Sequence, residues 1–223
     1  MKVERNIYLK KLIDRQHNGM IKVITGVRRC GKSYLVFNLF YDYLKSQGVD
    51  NDHIIMVNLE SRRNIKLRNP DSLLDYIDSR MLDDNMYYIL LDEVQLVDEF
   101  EDVLNSYLSV PNADVYVTGS NAKFLSKDVI TEFRGRGDEV KVYPLSFSEY
   151  MSVYNGSQQR GLDDFMTYGG LPFILSLKSE EQKSTYLKNL FAETYIKDIK
   201  DRYKIRHEDE LGDLLNIISS SVG

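Results

Sequence analysis

Residues 24–34 read ITGVRRCGKSY. Inside them Gly26-Val27-Arg28-Arg29-Cys30-Gly31-Lys32-Ser33 fits G-x-x-x-x-G-K-[ST], the spacing of a phosphate-binding loop. Glycines let backbone N–H groups converge on phosphate oxygens at the positive end of the helix that follows. The lysine then reaches the outer phosphates, and the hydroxyl joins the shell of a Mg²⁺ ion. Lys32 and Ser33 fill those two roles, and the expected nucleotide-binding residues run from Gly26 through Tyr34.

The motif has this meaning only between a strand and a helix, and both flanks comply. Residues 20–25 form an apolar, β-rich run, and Leu35, Val36, Leu39, Phe40, Tyr43 and Leu44 recur at helical spacing up to a stop near Gly48. Before the strand, Ile7, Tyr8, Leu12 and Ile13 predict a helix over 5–16. After the loop helix, strands are predicted over 53–59, 86–91, 114–118 and 139–143, with helices over 71–82, 96–109 and 122–133 between them. Five strands alternating with helices imply an α/β fold with a mainly parallel sheet covered on both faces. Beyond Pro144 the strand signals end. Helical patterns over 146–155, 161–168, 172–178 and 180–203 predict a small helical unit, and a last pattern over 209–218 finds no clear partner.

A second chemical group follows from the third predicted strand. Asp92 comes directly after Tyr87-Tyr88-Ile89-Leu90-Leu91, where a buried strand meets solvent, and can hold Mg²⁺ through water. Glu93 is next, placed to polarise an attacking water without binding the metal. Asn58, polar within an apolar strand, either restrains Glu93 or satisfies backbone groups. Cys30 beside Lys32 reads either as a thiol inclined to ionise or as a small loop-filling residue.

Composition narrows the function classes. A net charge of −5 argues against a surface built throughout to neutralise nucleic-acid phosphates. A single cysteine makes no internal disulfide, and with three scattered histidines it offers no metal-ligand spacing, so the expected compartment is cytoplasmic. No apolar run reaches the length of about 20 residues needed to span a bilayer, and membrane insertion is not expected.

With the loop and Asp92-Glu93 in place, the chain resembles the P-loop ATPases with an additional central strand, and among them the AAA+ superfamily. The segments ITGVRRCGKS, ILLDEVQ, VTGSNAKFL, FRGR, YPLSFSEY and YGGLPFIL, in that order, resemble a prokaryotic, archaeal-ATPase-like group that carries a C-terminal domain of unknown function. The resemblance implies a P-loop NTPase three-layer sandwich with sheet order 5-1-4-3-2, a core over 1–145 and a helical lid over 146–206. Residues 207–223 would then begin a winged-helix-like region, whose continuation the chain lacks.

The resemblance also assigns roles. Ser120-Asn121 matches the sensor position, with Asn121 touching the γ-phosphate or the attacking water, although either residue serves equally as a helix N-cap. Arg136 of Arg134-Gly135-Arg136 matches the arginine finger, often supplied by a neighbouring subunit; a solvent-facing basic turn is the other reading. Pro172 of Gly169-Gly170-Leu171-Pro172-Phe173 matches the lid proline that packs near the adenine, or else shapes a helix junction. Arg5 and Tyr8 would cover the base from the other side. The implied ligands are ATP, ADP and Mg²⁺, and the implied activity is hydrolysis that drives a conformational switch for a C-terminal effector. A continuously cycling, DNA-dependent oligomer is the alternative.

Overall fold

In the computed structural model of the chain, the described residues are 2–119, 133, 135–192, 213, 214, 217, 218 and 220. They fall into two compact units, 1–178 and 179–223. Five strands, β1 (Ile21–Thr25), β2 (Ile54–Asn58), β3 (Tyr87–Asp92), β4 (Ala113–Thr118) and β5 (Gly137–Lys141), form one sheet in the order β2-β3-β4-β1-β5. Every pairing is parallel. This is the parallel α/β sheet that the strand pattern predicts, in the 5-1-4-3-2 order that the resemblance implies.

Both faces of the sheet are covered, which is why its strands read as nearly unbroken apolar runs. Alternate residues of β3 divide between two cores: Tyr87, Ile89 and Leu91 join the helix-covered cluster with Leu73, Ile77, Val103 and Leu104. Tyr88 and Leu90 join the other, with Leu12, Leu35, Val36, Phe40 and Leu44. The helices are α1 (Asn6–Ile13), α2 (Lys32–Tyr34), α3 (Tyr41–Ser46), α4 (Pro70–Asp78) and α5 (Phe100–Tyr107), followed by α6 (Phe147–Met151) and α7 (Gln158–Tyr168). In the second unit, α8 (Glu180–Leu190) begins at a capping box in which Ser179 and Gln182 exchange hydrogen bonds.

Several helices are shorter or differently wound than periodicity predicts. Asn69 accepts the Ser72 N–H and Pro70 takes the first helical position, so α4 starts where expected. It stops at Asp78 because Ser79, Arg80 and Met81 turn, and the Tyr87 hydroxyl then accepts the Leu82 N–H. The helix after the phosphate loop changes to a π-helical register over Leu35–Phe40 before α3, and Pro172–Ser176 is a 3-10 turn where a helix over 172–178 is predicted. A further 3-10 segment, Arg62–Arg68, carries no periodicity that marks it in advance. The predicted helix over 122–133 lies, apart from Phe133, outside the described residues. No helix among the described residues is long and apolar enough to cross a membrane.

Candidate nucleotide site

Parallel strands bring their C-terminal ends to one edge, and ligands of open α/β sheets gather there. β1 ends at Thr25 and runs into the phosphate loop, β3 ends at Asp92 and β4 ends at Thr118. Because β4 lies between β1 and β3, with Ile24 paired to Thr118 and Leu91 to Val117, Thr118 stands between the loop and the Asp92 carboxylate.

The loop needs its glycines for two different reasons. A Cβ on Gly26 would lie 2.1 Å from the Val142 carbonyl oxygen, so only glycine lets the loop pass so close to the chain after β5. Gly31 sits at φ +102°, and Arg29 at φ +66° takes the same left-handed side of the map. The Lys32 ammonium is buried and donates to the Gly26 and Val27 carbonyls at 2.9 and 3.1 Å, which keeps it across the loop. Val27 is exposed, and Arg28 points outward to pair with Glu60 at 3.1 Å. Cys30 is fully buried with Sγ against the Val142 carbonyl, and burial pushes its thiol pKa up despite the opposing charges of Lys32 and Arg5. The loop-filling reading of Cys30 therefore describes it, and the ionised thiol does not.

Asp92 is 2% exposed. Burial raises its carboxyl pKa, while hydrogen bonds from Thr118 and Ser33 pull it back. Thr118 Oγ1 donates to Asp92 Oδ1 at 2.6 Å and accepts the Glu93 backbone N–H at 3.1 Å. One buried hydroxyl thus orients both carboxylate residues. Glu93 takes a left-handed backbone at φ +56°, an unusual conformation for a non-glycine residue and one that redirects the chain just after the strand. The Gln95 amide donates to Glu93 Oε2, leaving Gln95 Oε1 buried without a donor. Asn58 instead serves its own turn: Oδ1 accepts the Ser61 N–H, and its carbonyl accepts from Asn64.

A cavity of about 490 Å³ opens beside the loop, within the usual range for small-molecule sites. Arg29, Gly31, Lys32, Ser33, Tyr34 and Glu93 line it together with Val3, Arg5, Leu145, Pro172, Phe173 and Ser176. Pro172 Cγ lies 3.7 Å from the place a Gly31 Cβ would occupy, so the Pro172–Ser176 turn abuts the loop. A lining that combines loop residues and charged groups with apolar side chains suits a ligand with a phosphate chain and a planar base. Ser33 and Asp92 are hard oxygen donors of the kind Mg²⁺ takes. Among the described residues no group of three or more His, Cys, Asp or Glu side chains gathers as a metal cage. A Mg²⁺ ion here would therefore share the ligand's phosphate oxygens, as this ion commonly does.

One predicted residue is not gathered here. Arg136 is exposed, and its carbonyl accepts the Ile21 N–H at 2.9 Å. Ile21 begins β1 and the loop follows its end, so Arg136 stands at the opposite edge of the sheet. Asn121 lies outside the described residues. Thr118 and Gln95 were not singled out by sequence reasoning. The strand-closing threonine of DVYVTGS was the available signal, but its use depends on β4 neighbouring β3.

A family profile described as an AAA domain matches residues 18–151. An uncharacterised protein of Haemophilus influenzae is 33% identical over 227 residues, covering 99% of this chain and 56% of that protein. Another, MJ1544 of Methanocaldococcus jannaschii, is 30% identical over 228 residues, covering 97% and 49%. The chain thus spans about half the length of these curated relatives. Among solved structures, the Aeropyrum pernix ORC1 protein in complex with DNA aligns at a TM-score of 0.50 and 14% identity, covering 88% of this chain and 68% of that one, a likeness of fold alone.

Proposed function

The chain belongs to the AAA domain family, and on that premise we propose that it is a Mg²⁺-dependent ATPase whose nucleotide state sets the position of a helical lid. The observation that carries this reading is the buried hydroxyl at the sheet edge: Thr118 binds Asp92 and the Glu93 N–H together, beside the loop that carries Lys32 and Ser33. Phosphate loop, metal-binding carboxylate and general base then form one constellation rather than three separate features.

In this reading the loop's N–H groups and Lys32 hold the triphosphate, and Ser33 and Asp92 would hold Mg²⁺. The bound ion supplies charge neutralisation at the phosphate oxygens. Glu93 accepts a proton from water as the new O–P bond forms, and the bond to the bridging oxygen of ADP breaks; ATP and water give ADP and phosphate. Asn121 would contact the γ-phosphate. Arg136, at the far edge of the sheet, would act only on the nucleotide of a neighbouring subunit, which makes a homo-oligomer part of the proposal.

The lid belongs to the same reading. Residues 1–145 would form the ATPase core, 146–206 the lid, and 207–223 the start of a C-terminal effector region. Pro172 and Phe173 line the cavity that also touches the loop, so a bound base would meet both at once. Closure of such a segment around ATP, and its release with ADP, is a familiar switching device.

The test is the Glu93→Gln variant. It should bind ATP as tightly as the parent and hydrolyse it at least about a hundredfold more slowly, the usual range for losing a general base. Equal turnover would remove Glu93 from the mechanism. Nucleotide released by denaturing the purified chain distinguishes modes: near-stoichiometric ADP supports a slow-exchange switch, whereas turnover that rises with added DNA supports the cycling alternative.

A further inference from the structure

Arg5 precedes the stretch that the AAA domain profile covers, residues 18–151. Its side chain is nevertheless 2% exposed. Nη1 donates to the Cys30 carbonyl at 2.9 Å, Nη2 to the Tyr143 carbonyl at 2.7 Å and Nε to Glu149 Oε1 at 2.9 Å. The guanidinium also lies over the Tyr8 ring, 4.5 Å from its centroid. A buried guanidinium persists only where its charge is paired and its donors are used. Here the partners come from three segments remote in sequence: the phosphate loop, the chain just after β5, and α6.

The Cys30 contact bears on the loop's function. In a trans peptide the carbonyl of one residue and the N–H of the next point in opposite directions, and no peptide bond among the described residues is cis. Holding the Cys30 carbonyl on Arg5 therefore turns the Gly31 N–H away from Arg5. Gly31, at φ +102°, lacks the side chain that would restrict this peptide by itself. Its orientation needs an outside anchor, and Arg5 supplies one.

The Glu149 contact extends the anchor. Glu149 Oε2 accepts the Ser146 N–H at 2.8 Å, and Ser146 Oγ accepts the Glu149 N–H at 3.3 Å, forming the capping box that starts α6. The carboxylate that opens the helix is the one that pairs with Arg5. A change in the Cys30–Gly31 peptide is thereby felt at the first turn of α6 through a single side chain.

We propose that Arg5 is a positioning residue of the phosphate loop, locking the Cys30–Gly31 peptide and tying it to the N-terminus of α6. Its effect on nucleotide affinity rests on the phosphate-binding reading above; its hold on the two segments does not. Amide hydrogen exchange without nucleotide, followed by ATP titration and steady-state kinetics, tests both parts. Arg5→Ala should speed exchange in the loop and in 146–151 together by about tenfold or more, leaving β1 to β4 unchanged. Its ATP affinity should fall roughly ten- to a hundredfold, as expected when charge-assisted bonds are lost. Turnover at saturating ATP is read in the same series, so that an effect on affinity is separated from one on the chemical step. Arg5→Lys, which keeps a charge and one donor reach, should recover part of both effects. Native exchange in the loop of Arg5→Ala, or ATP affinity equal to that of a parent that binds ATP, would overturn the proposal.

Should Arg5→Ala fail to fold, Glu149→Gln carries the test. It leaves one oxygen for the cap and turns an amide NH2, which cannot accept, toward Arg5 Nε, and it should loosen the same two segments to a smaller degree; unchanged exchange in both would refute the link. If the parent binds no nucleotide while the variants still loosen both segments, Arg5 keeps its positioning role and the ATPase reading falls.

Discussion

Replacing Thr118 by valine removes one hydroxyl at nearly constant shape, and the structure gives the cost. Oγ1 donates to the Asp92 carboxylate at 2.6 Å and accepts the Glu93 N–H at 3.1 Å, in surroundings where Thr118 is wholly buried. Loss of the charge-assisted bond costs about 1.5–3 kcal/mol, and leaving the Glu93 N–H unpaired about 1–3 kcal/mol. The added apolar burial returns about 1 kcal/mol. A net loss of about 3 kcal/mol corresponds to a fall in Tm of about 6–12 °C for a domain of this size. Burial already raises the Asp92 pKa against the Thr118 and Ser33 hydrogen bonds. The folded chain consequently holds a proton on Asp92 more firmly than the unfolded chain does, and stability falls as pH rises through that raised value. The variant raises it further, so its deficit should be widest above both folded pKa values and narrow as pH is lowered. Thermal melts across pH would show this, and MgATP titration should show affinity reduced about tenfold, as is usual when a metal ligand loses its orienting partner. Thr118→Ser, which keeps the hydroxyl, should restore the affinity. A Thr118→Val protein that melts within about 1 °C of the parent at pH 7 would refute the assigned weight of this hydroxyl.

Two further outcomes test the sheet and the loop. Asp114 accepts from the buried Lys22 ammonium, the Tyr116 hydroxyl and the His17 N–H, at the edge of the sheet away from the loop. Asp114→Asn should cost about 3–5 kcal/mol by stranding a buried cation, with ATP affinity unchanged in the folded fraction. Burial lowers the Lys22 pKa, and Asp114 opposes that shift; without the carboxylate the unfolded chain binds more protons at alkaline pH, so the variant's deficit should shrink as pH rises. Chemical denaturation at pH 7 and 9 measures it, and a deficit that grows with pH would contradict the pairing. Cys30, fully buried with its thiol pKa raised, should resist iodoacetamide in the native chain and react once denaturant is added. Rapid native labelling would disprove its burial.

The coupling of Arg5 to both the loop and α6 gives the proposed switch a mechanical element. Residues 146–151 are held to the core through Glu149, and the Pro172–Ser176 turn abuts Gly31. Both contacts meet the loop at Gly31, where Arg5 Nη1 and Pro172 Cγ lie 3.5 and 3.7 Å from the place its Cβ would occupy. A ligand that reorients the loop would bias both segments in one step, because closely packed contacts shift between discrete arrangements rather than stretching smoothly.

What the amino-acid sequence by itself determined was whatever is written in local spacing. GVRRCGKS between an apolar run and a helical pattern marks the phosphate loop, YYILLD places a carboxylate at a strand end, and the unbroken apolar strands require a parallel sheet covered on both faces. Asn69-Pro70 likewise marks the start of α4, because a cap and a fixed φ act within one turn. Only the tertiary structure decided which side chains these landmarks meet. Thr118 reaches Asp92 because β4 lies between β1 and β3, Arg136 stands at the far edge because β5 pairs in parallel with β1, and Gln95 rather than Asn58 bonds Glu93. Arg5 joins Cys30, 25 residues on, to Tyr143 and Glu149, 138 and 144 residues on. Periodicity records which face of an element is buried, but hydrogen-bond partners depend on which elements become neighbours, and that is settled by packing of the whole sheet.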